Sequence, residues 1–225
     1  MRRAVLSGVG QGLKLPDVLR LYLVTDQASL GGRPLTDVVL AAVHGGVSCV
    51  QLREKNLPTR DFVAQACALQ ALLTPLGVPL VINDRIDVAL ACGAQGVHLG
   101  QSDMPVEQAR QMLPPDVFIG LSVESVDDVL RAARQPVDYL GVSPVYPTPT
   151  KTDTAAPWGL AGLRQLRGLT GLPLVAIGGI HLGNAHEVLR AGASGLAVVS
   201  ALCAAADPCA AARSFQAIFS ELTPS

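Results

Sequence analysis

Several short stretches of the sequence hold groups suited to an anionic ligand. Gln51, Leu52, Arg53, Glu54 and Lys55 set an amide and two cations around one carboxylate. Asn83, Asp84 and Asp103 supply an amide and two carboxylates, and Ser122 adds a hydroxyl. Thr148, Pro149, Thr150 and Lys151 put two hydroxyls and a cation into a proline-bounded loop. Gly178-Gly179 and Val199-Ser200 offer backbone N–H groups and a further hydroxyl. Guanidinium, ammonium and hydroxyl donors are the natural partners of phosphate oxygens. Arg53, Lys55 and Lys151 together suit a diphosphate, which carries about three negative charges. A pair of carboxylates suits a hard divalent cation. Magnesium keeps several waters and takes one or two carboxylates plus substrate phosphates.

Each group also has a plain structural use. Asp84 and Asp103 could cap the helices that follow them, the second just before Pro105. Residues 51–55 could be a solvated charged loop in which Glu54 neutralises a cation. The glycines could be ordinary turns, and the loop at 145–152 a surface connection. What decides is whether the chain brings these segments to one place.

Short, continuously apolar runs predict strands at 21–25, 49–52, 80–82, 96–99, 117–121, 139–142, 174–177 and 195–199. Such runs mark strands buried on both faces, as in a parallel sheet. Helical spacing and stop signals predict helices between them, over 34–43, 60–73, 85–91, 105–113, 125–133, 159–166 and 184–190, with a final helix over 204–222. Eight uninterrupted strand–helix units define an α/β fold and a single (β/α)8 TIM barrel. Residues 1–20 read as an N-terminal arm or short helix and 21–225 as the catalytic barrel domain. No Gly-rich dinucleotide fingerprint follows the first strand.

Barrel active sites lie at the C-terminal ends of the strands. That is where the polar residues fall. Gln51 to Lys55 close the second strand, Asn83 and Asp84 the third, and Asp103 follows the fourth. Ser122 ends the fifth, Thr148 to Lys151 follow the sixth, and Gly178-Gly179 and Ser200 end the last two. Asp84 and Asp103, after neighbouring strands, can share one cation. The loops after the seventh and eighth strands are the recurrent monophosphate site of this architecture.

Composition excludes other classes. The 225 residues are 49% hydrophobic and 16% charged, which argues against disorder. A net charge of −1 gives no nucleic-acid footprint. Five scattered cysteines without a CxxC pair argue against a zinc site or disulfide framework and for a reduced, cytoplasmic setting. The sequence has no run of about 18 apolar residues, so no membrane span is expected, nor is a signal peptide. The four histidines show no metal motif and the serines no GxSxG elbow, leaving hydrolase readings without support. His98 reads as a packing or supporting group on the fourth strand, and Trp158 as a packing anchor.

With these residues assembled, the sequence resembles the thiamine-phosphate synthase family over about residues 21–207. The carriers are Tyr22-Leu-Val-Thr-Asp26, Gln51-Leu-Arg-Glu-Lys55, Asn83-Asp84, Gly96-Val-His-Leu-Gly100 with Asp103, Thr148-Pro-Thr-Lys151, Ala176-Ile-Gly-Gly-Ile180 and Val199-Ser200. The resemblance implies a transferase of thiamine biosynthesis. It would join 4-amino-2-methyl-5-(diphosphooxymethyl)pyrimidine to 4-methyl-5-(2-phosphooxyethyl)thiazole, giving thiamine phosphate and diphosphate. It further implies that Gln51, Leu52, Arg53, Glu54, Lys55, Asn83, Ser122 and Lys151 meet the pyrimidine diphosphate. Arg53, Lys55, Ser122 and Lys151 would be catalytic. Thr148, Pro149, Thr150, Gly179, Val199 and Ser200 would meet the thiazole phosphate, and Asp84 and Asp103 would bind the cofactor Mg2+. The partners are these small molecules, with no nucleic acid and no membrane; a homo-oligomer is left open. Glu124 and Ser143 depart from the family pattern, where His and Gly are common. Readings that compete are a thiazole tautomerase-like isomerase, a non-catalytic phosphate-ligand barrel and a phosphosugar isomerase of another barrel family. The polarity and length of the loop after the sixth strand suggest a lid.

Overall fold

Each strand buries both faces, and the two faces bury different things. The structure, a computed structural model, describes residues 14–148 and 156–222. Strands β1 (Leu21–Val24), β2 (Cys49–Leu52), β3 (Leu80–Asn83), β4 (Gly96–Leu99), β5 (Phe118–Val123), β6 (Tyr139–Val142), β7 (Leu174–Ile177) and β8 (Gly195–Val198) pair in parallel, in sequence order. β8 returns to β1 through Tyr22 opposite Ala197, closing the barrel. Helices α2 (Leu35–His44), α3 (Thr59–Leu73), α4 (Ile86–Cys92), α5 (Val106–Met112), α6 (Val126–Ala132), α7 (Gly159–Leu169), α8 (Leu182–Arg190) and α10 (Pro208–Leu222) lie between and after the strands. This is the (β/α)8 barrel expected from the alternation of apolar runs and helical spacing.

Outward residues such as Leu23, Val50, Ile82, Leu121, Leu140 and Leu196 pack against the helices in one large cluster. Burying each such side chain contributes about 1.5–3 kcal/mol. Inward residues form a second cluster: Tyr22, Val24, Cys49, Val81, Phe118, Tyr139, Val175 and Ala197. The short helix α1 (Leu15–Val18) joins that cluster through Leu15, Val18 and Leu19. It plugs the N-terminal end of the barrel, so the arm expected over 1–20 has a packed part from residue 15. The interior is therefore filled at one end and polar at the other.

Large interior side chains are matched by glycines. A Cβ on Gly120 would lie 2.1 Å from the Tyr139 ring, and one on Gly141 would lie 2.8 Å from His98. These contacts place two large polar rings across the barrel. Gly120→Ala is accordingly expected to cost at least about 1–3 kcal/mol through overpacking, read as a lower denaturation midpoint.

The chain differs from expectation after β8. The helix expected over 204–222 begins only at Pro208, as α10, and a separate short helix, α9 (Ser200–Cys203), precedes it. Proline lacks an N–H and sets the φ of a first helical residue, so it starts a helix more readily than it continues one. Asp207 Oδ1 accepts the Ala210 N–H at 3.0 Å, in the manner of an N-cap. Arg33 bonds the Cys203 and Ala205 carbonyls at 2.6 and 2.7 Å, satisfying the end of α9. The Asp-Pro pair was the available signal.

Candidate active site

The C-terminal ends of all eight strands open onto one cavity of about 690 Å³. Gln51 is 5% exposed and faces inward from β2, with Arg53 and Lys55 beyond it on the rim. Asn83 and Asp84 follow at the end of β3, Asp103 after β4, and Ser122 on β5. Thr148, Gly179, Val199 and Ser200 line the opposite side. Two of the expected residues do not line the cavity. Leu52 has the opposite strand parity and is fully buried against the outer helices. Glu54 is also absent from the wall; its carboxyl is pushed up by partial burial and then by Asp26, while Arg53 opposes the shift. Pro149, Thr150 and Lys151 lie outside the described residues, as does most of the loop read as a lid.

The two carboxylates are not helix caps. α4 is preceded by Arg85 and α5 by Pro105, neither with a side-chain cap. Asp84 instead takes φ 62°, the one positive φ outside glycine among the described residues. This left-handed backbone carries a cost of about 1–2 kcal/mol for most side chains, less for Asp, and clusters at functional sites. Its N–H bonds the His98 carbonyl at 2.8 Å, and its carboxylate meets the Lys55 ammonium at 2.5 Å. Asp103 accepts the Gly100 N–H at 2.6 Å. Its carboxyl is pushed up by burial and then by neighbouring Asp84, with Gly100 and Lys55 opposing.

On the far side, Gly178 and Gly179 have φ 98° and 64°. A Cβ on Gly179 would stand 2.8 Å from Tyr146 Cβ and 2.9 Å from the Pro147 carbonyl. Asn184 Nδ2 holds the Gly179 carbonyl at 2.8 Å, and Tyr146 N–H holds that of Gly178 at 3.0 Å. The start of the β6 loop is thus pinned against the glycine turn. Next to it, α9 begins at Ser200, and the first N–H groups of a helix have no partners within it.

The floor contains two tyrosines to which the sequence assigned no role. Tyr22 and Tyr139 are fully buried and their hydroxyls meet at 3.0 Å. Gln51 Nε2 donates to Tyr22 at 2.9 Å. His98 meets Tyr139 through Nδ1 at 2.8 Å and Ser122 through Nε2 at 2.9 Å. Burial pushes both phenols well above their usual range, so both stay protonated. His98 therefore supports Ser122, as a supporting group would. Strand parity could have found the tyrosines, since Tyr22 pairs with Cys49, two residues before inward-facing Gln51.

No group of three or more His, Cys, Asp or Glu side chains suited to a metal forms among the described residues. No helix among them is long and apolar enough to cross a membrane.

A (β/α)8 barrel with cations, carboxylates and a glycine turn around one mouth is the arrangement of a barrel enzyme acting on phosphorylated ligands. A family model described as thiamine monophosphate synthase matches residues 21–202. A thiamine-phosphate synthase from Albidiferax ferrireducens is 76% identical over 194 residues, covering 86% of this chain and 89% of that protein. One from Chloroflexus aurantiacus is 50% identical over 201 residues, covering 89% and 93%. The solved thiamine phosphate pyrophosphorylase from Pyrococcus furiosus superposes with a TM-score of 0.85 at 38% identity, covering 94% of this chain and all of that one. The chain belongs to the thiamine monophosphate synthase family. It is a transferase of thiamine biosynthesis.

Proposed function

We propose that the mouth cavity is where this chain carries out the thiamine-phosphate synthase reaction, with the two substrates held on opposite walls. Gln51, Arg53, Lys55, Asn83 and Ser122 take the pyrimidine diphosphate, and Lys151 joins them on the diphosphate. Thr148, Gly179, Val199 and Ser200, with Pro149 and Thr150, take the thiazole phosphate. The observation that carries this reading is the meeting of a cationic rim and a glycine turn across one cavity. Asn83 Nδ2 adds to it. That donor is buried without a hydrogen-bond partner among the described residues, which costs about 1–3 kcal/mol unless a ligand accepts from it.

The reaction breaks the C–O bond between the pyrimidine CH2 and the diphosphate, and the electron pair leaves with the diphosphate. Charge developing on the CH2 carbon spreads into the aminopyrimidine ring. Arg53, Lys55 and Lys151 meet the oxygens as they become more negative, a form of electrostatic catalysis. The thiazole nitrogen then attacks the same carbon, oriented by its own anchored phosphate. That nitrogen carries no proton, so the site needs no strong base.

The carboxylate pair fits a hard cation. Lys55 pairs directly with Asp84 and only partly offsets the burial and the Asp84 charge that push the Asp103 carboxyl up. Asp84 and Asp103 would hold magnesium, with substrate oxygens and water completing its shell. When bound, magnesium supplies further neutralisation of the leaving diphosphate. The proposed setting is the cytoplasm, in keeping with five cysteines that are all free among the described residues.

Gly179→Ala tests the assignment of the two walls. It is expected to raise KM for the thiazole phosphate about tenfold to a hundredfold and leave KM for the pyrimidine diphosphate unchanged. Equal changes in both constants would remove the glycine turn from the thiazole side.

A further inference from the structure

Five side chains run in one line across the cavity floor, from Gln51 through Tyr22, Tyr139 and His98 to Ser122. A line of hydrogen bonds has a direction, and its first member can set it. The Gln51 NH2 donates only, so the Tyr22 oxygen accepts. Each protonated phenol has one proton to give. Tyr22 then donates to Tyr139, and Tyr139 donates to His98 Nδ1. His98 Nδ1 is thereby an acceptor, and its Nε2 carries the proton that goes to Ser122 Oγ. Ser122 is left with its own proton pointing away from His98. The opposite direction would leave the Tyr22 proton no acceptor but the neighbouring Cys49 thiol, a much weaker one than an oxygen or nitrogen.

We infer that Gln51 and Tyr22 are positioning residues that hold His98 as the neutral Nε2–H tautomer and so turn the Ser122 hydroxyl proton toward the ligand. Tyr139 transmits the direction. Its ring lies 5.5 Å from that of His98, and Gly120 and Gly141 leave the space both rings occupy. The hydroxyl that meets the diphosphate substrate is then a donor by construction, whatever the conformation of the ligand. This last step rests on the reading of the cavity as the synthase site; the tautomer does not.

The test is 15N NMR of His98 in the ligand-free protein, with Tyr22→Phe as the variant. The wild type is expected to show a protonated shift at Nε2 and an unprotonated one at Nδ1. Tyr22→Phe keeps the ring and removes the tether, so both shifts should move toward a tautomer average. An Nδ1–H or doubly protonated ring in the wild type overturns the inference, as does an unchanged pattern in the variant. Should Tyr22→Phe fail to fold, Gln51→Glu reads the same property. A carboxylate there accepts from Tyr22 and should turn His98 to Nδ1–H; an unchanged Nε2–H form overturns the inference. In turnover, Tyr22→Phe should lower kcat about tenfold, the worth of one neutral hydrogen bond, and have no further effect in a Ser122→Ala background. Equal losses in both backgrounds would mean that Tyr22 does not act through Ser122.

Discussion

Arg53→Ala is expected to lower kcat about 10²–10³-fold with no loss of the folded state. Arg53 stands on the rim at the end of β2, where its N–H bonds Thr25 Oγ1 at 3.0 Å. Its guanidinium forms no ion pair among the described residues. A cation outside any ion pair at a cavity mouth is available to a ligand, and the carboxyl that feels its charge, Glu54, is already pushed toward its neutral form by partial burial. The loss should fall on kcat more than on KM, because the diphosphate gains most charge as it leaves. Arg53→Lys should recover only part of the activity, since an ammonium lacks the planar fork that meets two oxygens at once. Steady-state kinetics with both substrates saturating, beside a thermal melt, checks this. Near wild-type kcat would remove Arg53 from the departing diphosphate.

Asp84→Asn should have a comparable effect, by another route. Asn tolerates the left-handed backbone that Asp84 adopts at φ 62°, so the loop geometry is kept. Ala would add strain and confuse the result. The Lys55 ion pair is lost, but Lys55 is half exposed, and such pairs contribute little to stability. The expected outcome is a normal melt, activity reduced about 10²–10³-fold at fixed magnesium, and half-saturation shifted to about a hundredfold more magnesium. An unchanged magnesium titration would take Asp84 out of the metal site.

The barrel was legible because its strands are short apolar runs and its punctuation is local. β2, β4, β6 and β7 have the bounds read from the apolar runs, and the helix expected over 125–133 starts just after Ser125, which the structure shows as its N-cap. The site was legible as a set of strand ends, because polar residues at Gln51, Asn83 and Ser122 interrupt runs that are otherwise apolar. Three features were not. The left-handed turn at Asp84 is a backbone property that Asp permits but does not announce. The Tyr22–Tyr139–His98 line joins β1, β6 and β4, and its partners lie up to 117 residues apart. It emerges only when the register of the closed barrel is known. The exclusion of Leu52 from the cavity follows from the two-residue period of a strand, which a reading of the motif as one block hides.

The central claim is tested most directly by following a mixture of the folded protein, magnesium, the pyrimidine diphosphate and the thiazole phosphate by 31P NMR. The account predicts that free diphosphate and thiamine phosphate form together in equal amounts, and that neither forms when either substrate is withheld over the same interval. Diphosphate released without thiamine phosphate, or no product from protein shown to be folded and to bind both substrates, would contradict it.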